Sequence, residues 1–163
     1  MRIDPHYFSW KLRTLNYRAR FIELAGDINA SMPHYVIGKI NDALNRNRKS
    51  INGSRILILG VAYKRDISDV RESPALDVIK LLQEKGAQVC YNDPHVNRLS
   101  LDTGTLSSMS LDDKLIETMD CVVIITDHSQ YDYQSIVDMA QCIVDTRNAT
   151  KGVQGNKNKI FKL

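Results

Sequence analysis

Hydrophobic and polar positions divide the chain into two regions with different patterns. From Phe21 to Asn47, apolar residues recur three or four positions apart, which predicts one long amphipathic helix. Pro33 lies inside this pattern and cannot donate a backbone hydrogen bond, so we expect a kink or a short break there. A shorter amphipathic helix is expected from about Tyr7 to Leu15. Residues 1–50 are therefore predicted to form a helical amino-terminal arm.

After the polar stretch 45–54, short apolar runs alternate with helical patterns. Strands are predicted at Arg55–Leu59, Gln88–Asn92, Cys121–Thr126 and Cys142–Asp145, and the residues Ile160–Leu163 are compatible with a last strand. Helices are predicted from Pro74 to the stop at Gly86, at 111–119 and at 133–140, whereas 95–110 is predicted to be a loop. This alternation favours an α/β fold, in which a Rossmann-like parallel sheet at 51–163 carries helices on both faces.

Composition narrows the function classes only a little. The chain has 163 residues, 43% of them hydrophobic and 25% charged, as in ordinary soluble proteins. A net charge of +3 is too small to indicate a nucleic-acid or membrane surface, and no apolar run approaches the roughly 18 residues of a membrane span. The three cysteines lie at or near predicted strands without metal-site spacing. We expect free thiols in a reducing compartment, and hence a cytoplasmic protein.

The segment between the first strand and the helix at Ser73 is the strongest candidate for chemistry. It runs from Val61 to Glu72, roughly twice the usual length of about 2–6 residues, at the strand end where open α/β sheets bind ligands. Lys64 and Arg71 suit phosphate oxygens. Arg147 follows the strand Cys142–Asp145 and belongs to the same edge of the sheet. These cations predict a site for a nucleotide diphosphate.

Other interpretations of these residues remain open. The segment can equally be a solvated charged loop with local Asp–Arg pairs. The turn after the first strand has the single glycine Gly60 instead of G-x-G-x-x-G, which disfavours a free-standing NAD-binding domain. Asp93 stands where dinucleotide folds place a ribose-binding acid, although capping of the turn before Pro94 is the favoured role. The histidines lack ligand spacing and are each expected to be surface or loop residues, namely His6, His34, His95 and His128.

Several segments together resemble the UDP-glucose/GDP-mannose dehydrogenase family. The downstream segments are G-V-A-Y-K at Gly60–Lys64 with Asp66, Asp69 and Arg71–Pro74, then Asp93–Pro94, Thr126–His128 and Asp145–Asn148. The upstream segments are Ile3–Tyr7 and Phe21–Gly26, with Asn29, Met32 and Pro33. The resemblance covers essentially the whole chain. Within the family, the chain is most similar in pattern to the bacterial and archaeal nucleotide-sugar 6-dehydrogenases, including those that oxidise UDP-N-acetylhexosamines.

This resemblance implies a division of labour between domains. In the family, an N-terminal domain binds NAD, a C-terminal domain binds the UDP of the sugar nucleotide, and a long central helix makes the dimer. The sugar C6 alcohol is oxidised twice, to a carboxylate, through a thiohemiacetal on a cysteine, which supplies precursors for polysaccharides. The chain would then be the UDP-sugar-binding part. It would form a homodimer through its long helix, with a separate N-terminal half as a further candidate partner.

The resemblance also assigns roles to individual residues. Asp4 would be catalytic, assisting proton transfer near the thiol. Tyr63 and Lys64 would contact the sugar nucleotide, and Arg147 would hold its nucleotide end. Arg71 would reach the NAD that is bound mainly by the other domain.

Two motifs that the family needs for catalysis have no counterpart in this chain. The catalytic cysteine of the family would fall just before Met1, and the glycine-rich NAD turn has no counterpart here. We therefore expect the chain alone to be inactive and to bind NAD poorly. The alternative is a non-catalytic nucleotide-sugar-binding or assembly module.

Overall fold

Helices and strands alternate along most of the chain in this computed structural model, which describes residues 7, 9–12 and 14–163. The helices are α1 (Arg20–Arg46), α2 (Pro74–Glu84), α3 (Asp113–Thr118) and α4 (Tyr133–Met139). The strands are β1 (Arg55–Leu59), β2 (Gln88–Asn92), β3 (Arg98–Leu101), β4 (Gly104–Ser107), β5 (Cys121–Ile124), β6 (Ile143–Asp145) and β7 (Ile160–Lys162). Two short 3₁₀ turns, Ala149–Gly152 and Lys157–Lys159, lie between β6 and β7.

A parallel sheet in the order β2-β1-β5-β6-β7 separates two apolar layers. Alternate residues of a strand point to opposite faces, so Ile56 and Ile58 of β1 pack on one side with α1 and α2, and Leu57 and Leu59 pack on the other with α3 and α4. Residues of β5 are buried on both sides. The predicted α/β fold, a parallel sheet covered by helices on both faces, is confirmed.

The loop predicted for residues 95–110 is wrong in part, because this stretch contains the antiparallel hairpin β3–β4. Leu99 of β3 is buried, and Leu101 and Leu106 pack against the core beside α1 and α2. Each strand has four residues. Alternation of apolar and polar residues over so few positions is too weak to be recognised in a sequence. Burial of the leucines against the core stabilises the hairpin.

Helix α1 continues through Pro33, so the short break considered from the sequence does not occur. Its second half is buried against the sheet through Val36, Ile37, Ile40, Ala43 and Leu44. This packing outweighs the single backbone hydrogen bond that a proline removes. Residues 9–12 are also helical, in line with the shorter helix expected there. Among the described residues, no helix is both long enough and apolar enough to cross a membrane.

Gly60, directly after β1, allows two strand ends to approach each other closely. It has φ +76°, and a Cβ built on it would overlap the carbonyl group of Thr126, which follows β5. Its N–H donates to the carbonyl of Asn92 at the end of β2, at 3.0 Å. Only glycine meets both the left-handed backbone and the close contact without strain. Gly60 therefore fixes where the loop leaves the sheet.

Replacing Gly60 by alanine is expected to destabilise the fold more than the same change at Gly53. Gly53 also has positive φ, +82°, but no atom lies within 4 Å of its built Cβ. Gly53→Ala should cost about 1–2 kcal/mol for the left-handed backbone. Gly60→Ala should cost about 1–3 kcal/mol more, because the strand ends must move apart. Urea unfolding of both variants measures the difference, and equal losses would contradict the close approach.

Candidate functional site

The carboxyl ends of the five parallel strands lie at one edge of the sheet, and the polar segments that follow them meet there. Residues 60–72 follow β1, Asp93 follows β2, residues 126–129 follow β5 and residues 146–148 follow β6. This is the edge where open α/β sheets bind ligands. The first of these segments, residues 61–72, is called the β1–α2 loop below.

The β1–α2 loop is anchored to the turn that follows β5. The hydroxyl of Thr126 donates to the carbonyl of Ala62 at 2.6 Å. Arg65 donates to the carbonyl of Asp127 at 2.6 Å and to its carboxylate at 2.7 Å. The N–H of Tyr63 donates to the carbonyl of Asp69 within the loop, at 2.7 Å. The loop is therefore held in place despite its length.

The carboxylate of Asp93 fixes the first residues of the β1–α2 loop from inside the protein. Its Oδ2 accepts the N–H groups of Val61 at 2.7 Å and Ala62 at 3.0 Å. Its Oδ1 accepts the N–H groups of His95 at 2.8 Å and Val96 at 3.1 Å. Asp93 is 2% exposed, so this carboxylate cannot contact a ribose. Its favoured role, capping the turn before Pro94, is confirmed.

His128 lies between Asp93 and the β1–α2 loop. Its Nδ1 accepts the N–H of Asp66 at 2.9 Å, so the ring hydrogen resides on Nε2, which donates to Asp93 Oδ2 at 3.0 Å. His128 lies in a loop, as predicted, but its imidazole is fully buried, so it is not a surface residue. The neighbours that bury His128 are distant in sequence, and spacing along the chain gives no signal for them.

The structure brings Tyr63, Lys64 and Arg147 together around one cleft of about 410 Å³. Its apolar lining includes Val36 of α1 and Val78 of α2. The ammonium of Lys64 lies 5.8 Å from the centre of the Tyr63 ring, within the range of a cation–π contact. Three of the residues selected from the sequence thus share a cavity of the size that ligands occupy.

A second buried carboxylate, that of Asp145, places Arg147. It accepts the N–H groups of Arg147 at 3.0 Å, Ala149 at 3.1 Å and Thr150 at 2.9 Å, and also the Thr150 hydroxyl at 2.6 Å. Asn148 takes the left-handed conformation that the turn needs, with φ 55°. The side chain of Arg147 is consequently exposed at the edge of the sheet.

Asp127 connects two cations of this edge, and sequence reasoning missed it. Its carboxylate lies 2.7 Å from Nη2 of Arg65 and 3.5 Å from Nε of Arg147. The signal available in the sequence was its position, since it comes shortly after the all-apolar strand β5, at the same edge as Asp93 and Asp145. Asp127 links the β1–α2 loop to the turn after β6.

Arg71 is the one candidate of the described region that does not line the cleft. It pairs with Asp69 through Nε at 2.9 Å and Nη2 at 2.7 Å, while its side chain is 86% exposed. The hydrogen bonds from Arg71 lower the pKa of Asp69 to about 2 and raise the pKa of the guanidinium. This is the kind of local Asp–Arg pair that the alternative interpretation of the loop expected. The remaining candidate, Asp4, lies outside the described residues.

All three cysteines lie within the described residues, and none lines the cleft. Cys121 and Cys142 are buried with their sulfur atoms 3.8 Å apart, and Cys90 is half-buried. Contact with Cys142 and burial raise the pKa of the Cys121 thiol, and burial raises that of Cys90. The contact with Cys121 lowers the pKa of Cys142, but this thiol is buried. None of the three thiols therefore has the accessible surroundings of a nucleophile.

Comparisons with known proteins agree with this architecture. A family model described as "UDP-glucose/GDP-mannose dehydrogenase family, UDP binding domain" matches residues 57–152. The chain is 36% identical over 129 residues to a UDP-N-acetyl-D-mannosamine dehydrogenase of Methanococcus maripaludis, a match that covers 79% of this chain. The match spans only 27% of the length of that relative.

Solved structures extend the similarity to α1. The UDP-D-ManNAc dehydrogenase of Pyrococcus horikoshii aligns with a TM-score of 0.71 at 28% identity, over 86% of this chain and 32% of that one. A UDP-glucose dehydrogenase from Pyrobaculum islandicum aligns with a TM-score of 0.74 over 99% of this chain and 35% of that one. At 22% identity this second alignment shows the shared fold alone.

Asp93→Asn is expected to destabilise the protein by about 3–5 kcal/mol, because an amide presents hydrogens toward buried donors that now share a carboxylate. Asp132→Asn is the matched control. Asp132 caps α4 from an exposed position, and asparagine caps a helix about as well as aspartate. The free energy of unfolding of Asp132→Asn should therefore be almost unchanged. Chemical denaturation measures both variants, and similar losses would show that Asp93 is not an essential anchor.

Proposed function

Because the chain belongs to the UDP-glucose/GDP-mannose dehydrogenase family and carries its UDP binding domain, we propose that it is the sugar-nucleotide-binding part of an NAD-dependent nucleotide-sugar 6-dehydrogenase. The substrate class is a UDP-N-acetylhexosamine, as the names of its relatives suggest. The complete reaction is the four-electron oxidation of the sugar C6 alcohol to a carboxylate, which supplies precursors for polysaccharides.

The observation that carries this proposal is the convergence of Lys64 and Arg147 on one cleft. These cations come from two different strand ends, and each is held by its own buried aspartate network. A diphosphate suits this arrangement, since Arg147 can offer a planar pair of N–H donors and Lys64 a point charge. The half-buried Tyr63 and the apolar lining supply surface for the uracil or the sugar.

The residues of this sheet do not fit NAD itself. A dinucleotide-binding turn presents backbone N–H groups to the pyrophosphate. Here the N–H groups of Val61 and Ala62 donate to Asp93 instead, and Asp93 is too buried to reach a ribose. In the proposed enzyme the NAD therefore lies on another domain. The exposed Arg71 is our candidate to reach it, and Asp4 is our candidate for proton transfer.

We further propose that this chain binds the sugar nucleotide without oxidising it on its own. Its three thiols are buried or half-buried away from the cleft, so it offers no nucleophile for a covalent intermediate. The same observation favours the second candidate function, a non-catalytic nucleotide-sugar-binding or assembly module. The two differ in whether a separate NAD-binding half restores turnover. We place the chain in the cytoplasm because three cysteines at or near strands are typical of free thiols in a reducing compartment.

Calorimetric titration with UDP tests the site. The chain should bind UDP saturably, and Lys64→Ala and Arg147→Ala should each weaken binding about tenfold or more, because each removes a charged hydrogen bond to phosphate. Arg71→Ala is the matched control and should leave the affinity unchanged, since Arg71 lies outside the cleft. Uridine should bind more weakly and should not respond to Lys64→Ala. No UDP binding at millimolar concentration, or equal affinities in all variants, would contradict the proposal.

We also propose that α1 forms a homodimer. Phe21, Leu24, Ile28 and Tyr35 are between 52% and 89% exposed. Their spacing of three, four and seven residues puts them on one stripe of the helix. This stripe is separate from the buried residues that attach the second half of α1 to the sheet. A second copy of the same stripe would cover it.

Light scattering coupled to gel filtration measures the assembly. The unmodified chain should elute as a dimer, and Leu24→Glu with Ile28→Glu should yield a monomer, because charges are costly in an apolar interface. Ala30→Glu serves as the control. Ala30 is exposed and lies about 200° around the helix from Ile28, so the dimer should persist. Dissociation by both changes, or by neither, would exclude this stripe as the interface.

A further inference from the structure

We propose that Asp66, His95 and His128 form a binding site for Zn²⁺ beside the cleft. The three residues come from three separate segments of the carboxyl edge: the β1–α2 loop, the turn after β2 and the turn after β5. None of them lines the cleft that holds Lys64 and Arg147. The inference therefore does not depend on the proposed function.

The distances between the ligand atoms are close to those of a metal site. Oδ1 of Asp66 lies 3.8 Å from Nε2 of His95 and 3.7 Å from Nδ1 of His128. Ligand atoms from the three residues lie within 4.8 Å of one another. In a tetrahedral zinc site with bonds of about 2.0–2.1 Å, neighbouring ligand atoms are about 3.4 Å apart. Side-chain movements of about 1 Å would complete the set.

His95 supplies a second argument for a ligand at this position. Its Nε2 is buried and has no hydrogen-bond partner among the residues that the structure describes. Native proteins rarely leave a buried polar nitrogen unpaired, because it loses its water without compensation. The ring of His95 lies 4.9 Å from that of His128, between centroids. A cation bound between them would satisfy the nitrogen.

His128 has the outer contact that metal-binding histidines use. Its Nε2–H donates to the carboxylate of Asp93, which leaves the lone pair on Nδ1, toward Asp66. Histidine ligands commonly donate their second N–H to a carboxylate in this way. At present Nδ1 accepts the N–H of Asp66, so a metal would replace that hydrogen bond.

Two imidazoles and one carboxylate favour zinc over the hard cations. Mg²⁺ and Ca²⁺ prefer oxygen ligands, whereas imidazole suits Zn²⁺ and its neighbours in the transition series. The exposed side of Asp66 leaves room for a water molecule as fourth ligand. The bound ion would join the β1–α2 loop to two turns of the sheet. It would thereby stabilise the loop that carries Lys64.

Cobalt binding tests the site, because four-coordinate Co²⁺ gives an intense visible absorption and substitutes for Zn²⁺. The metal-free chain is titrated with Co²⁺, and Zn²⁺ is then added to displace it. We expect saturation at one equivalent, with an absorption typical of four-coordinate Co²⁺. His95→Gln should weaken binding at least about tenfold, since even the loss of an outer contact has an effect of that size. Asp66→Asn should also weaken it while retaining the oxygen that accepts the N–H of Ser129.

The matched control is His34→Gln, which removes an exposed histidine on α1 and should leave Co²⁺ binding unchanged. Thermal unfolding without metal verifies that each variant is folded. At one fixed concentration, Zn²⁺ should raise the melting temperature of the unmodified chain and of His34→Gln by equal amounts, and that of His95→Gln by less. Unaltered Co²⁺ binding in His95→Gln, or a spectrum of six-coordinate Co²⁺ in the unmodified chain, would overturn the proposal. UDP binding is measured separately, so failure of one site does not affect the other.

Discussion

The hydrogen bonds of one buried carboxylate, that of Asp93, hold together strand ends that are far apart in sequence. Its five donors come from the turn after β1, the turn after β2 and the imidazole of His128 after β5. A charge in the interior is stable only when such donors replace its lost water. His128 passes the connection on to Asp66 in the β1–α2 loop. The geometry of the loop, and so the position of Lys64, depends on this one ion.

The turn after β6 is held in the same way, by hydrogen bonds from its backbone N–H groups to the buried carboxylate of Asp145. Both acids are buried, both accept several backbone N–H groups, and each supports a turn that bears an exposed cation, Lys64 in one case and Arg147 in the other. Asp127 then connects the two turns at the surface through Arg65 and Arg147. The cleft is lined by the cations Lys64 and Arg147 and by one acid, Glu72, whereas Asp93 and Asp145 are buried beneath it. An anionic ligand meets positive charge without facing the structural carboxylates.

Features of the fold and of the site could be predicted where they depend on residues that are close together in the sequence. Apolar periodicity is local, so the sheet and its helices were recognisable from the sequence, and strand polarity alone put Lys64 and Arg147 at one edge. The β3–β4 hairpin was missed because four-residue strands carry too little periodicity. The burial of His128 was missed because its partners, Asp66 and Asp93, are distant in sequence. The pair of Arg71 with Asp69 was recognisable as an alternative, since it spans two residues.

The double anchoring of the cleft has a consequence for how such a protein can change. Tyr63, Lys64 and Arg147 line the cleft, while the backbone beneath them is held by Asp93 and Asp145, which do not line it. The residues that line the cleft and the residues that hold its backbone are therefore at different positions. Exchange of the cleft side chains would change the lining of the cleft without removing the hydrogen bonds that hold the backbone. The domain is consequently a suitable starting point for redesigned nucleotide recognition. The side chains that line its cleft should tolerate substitution well, because other residues hold the backbone beneath them.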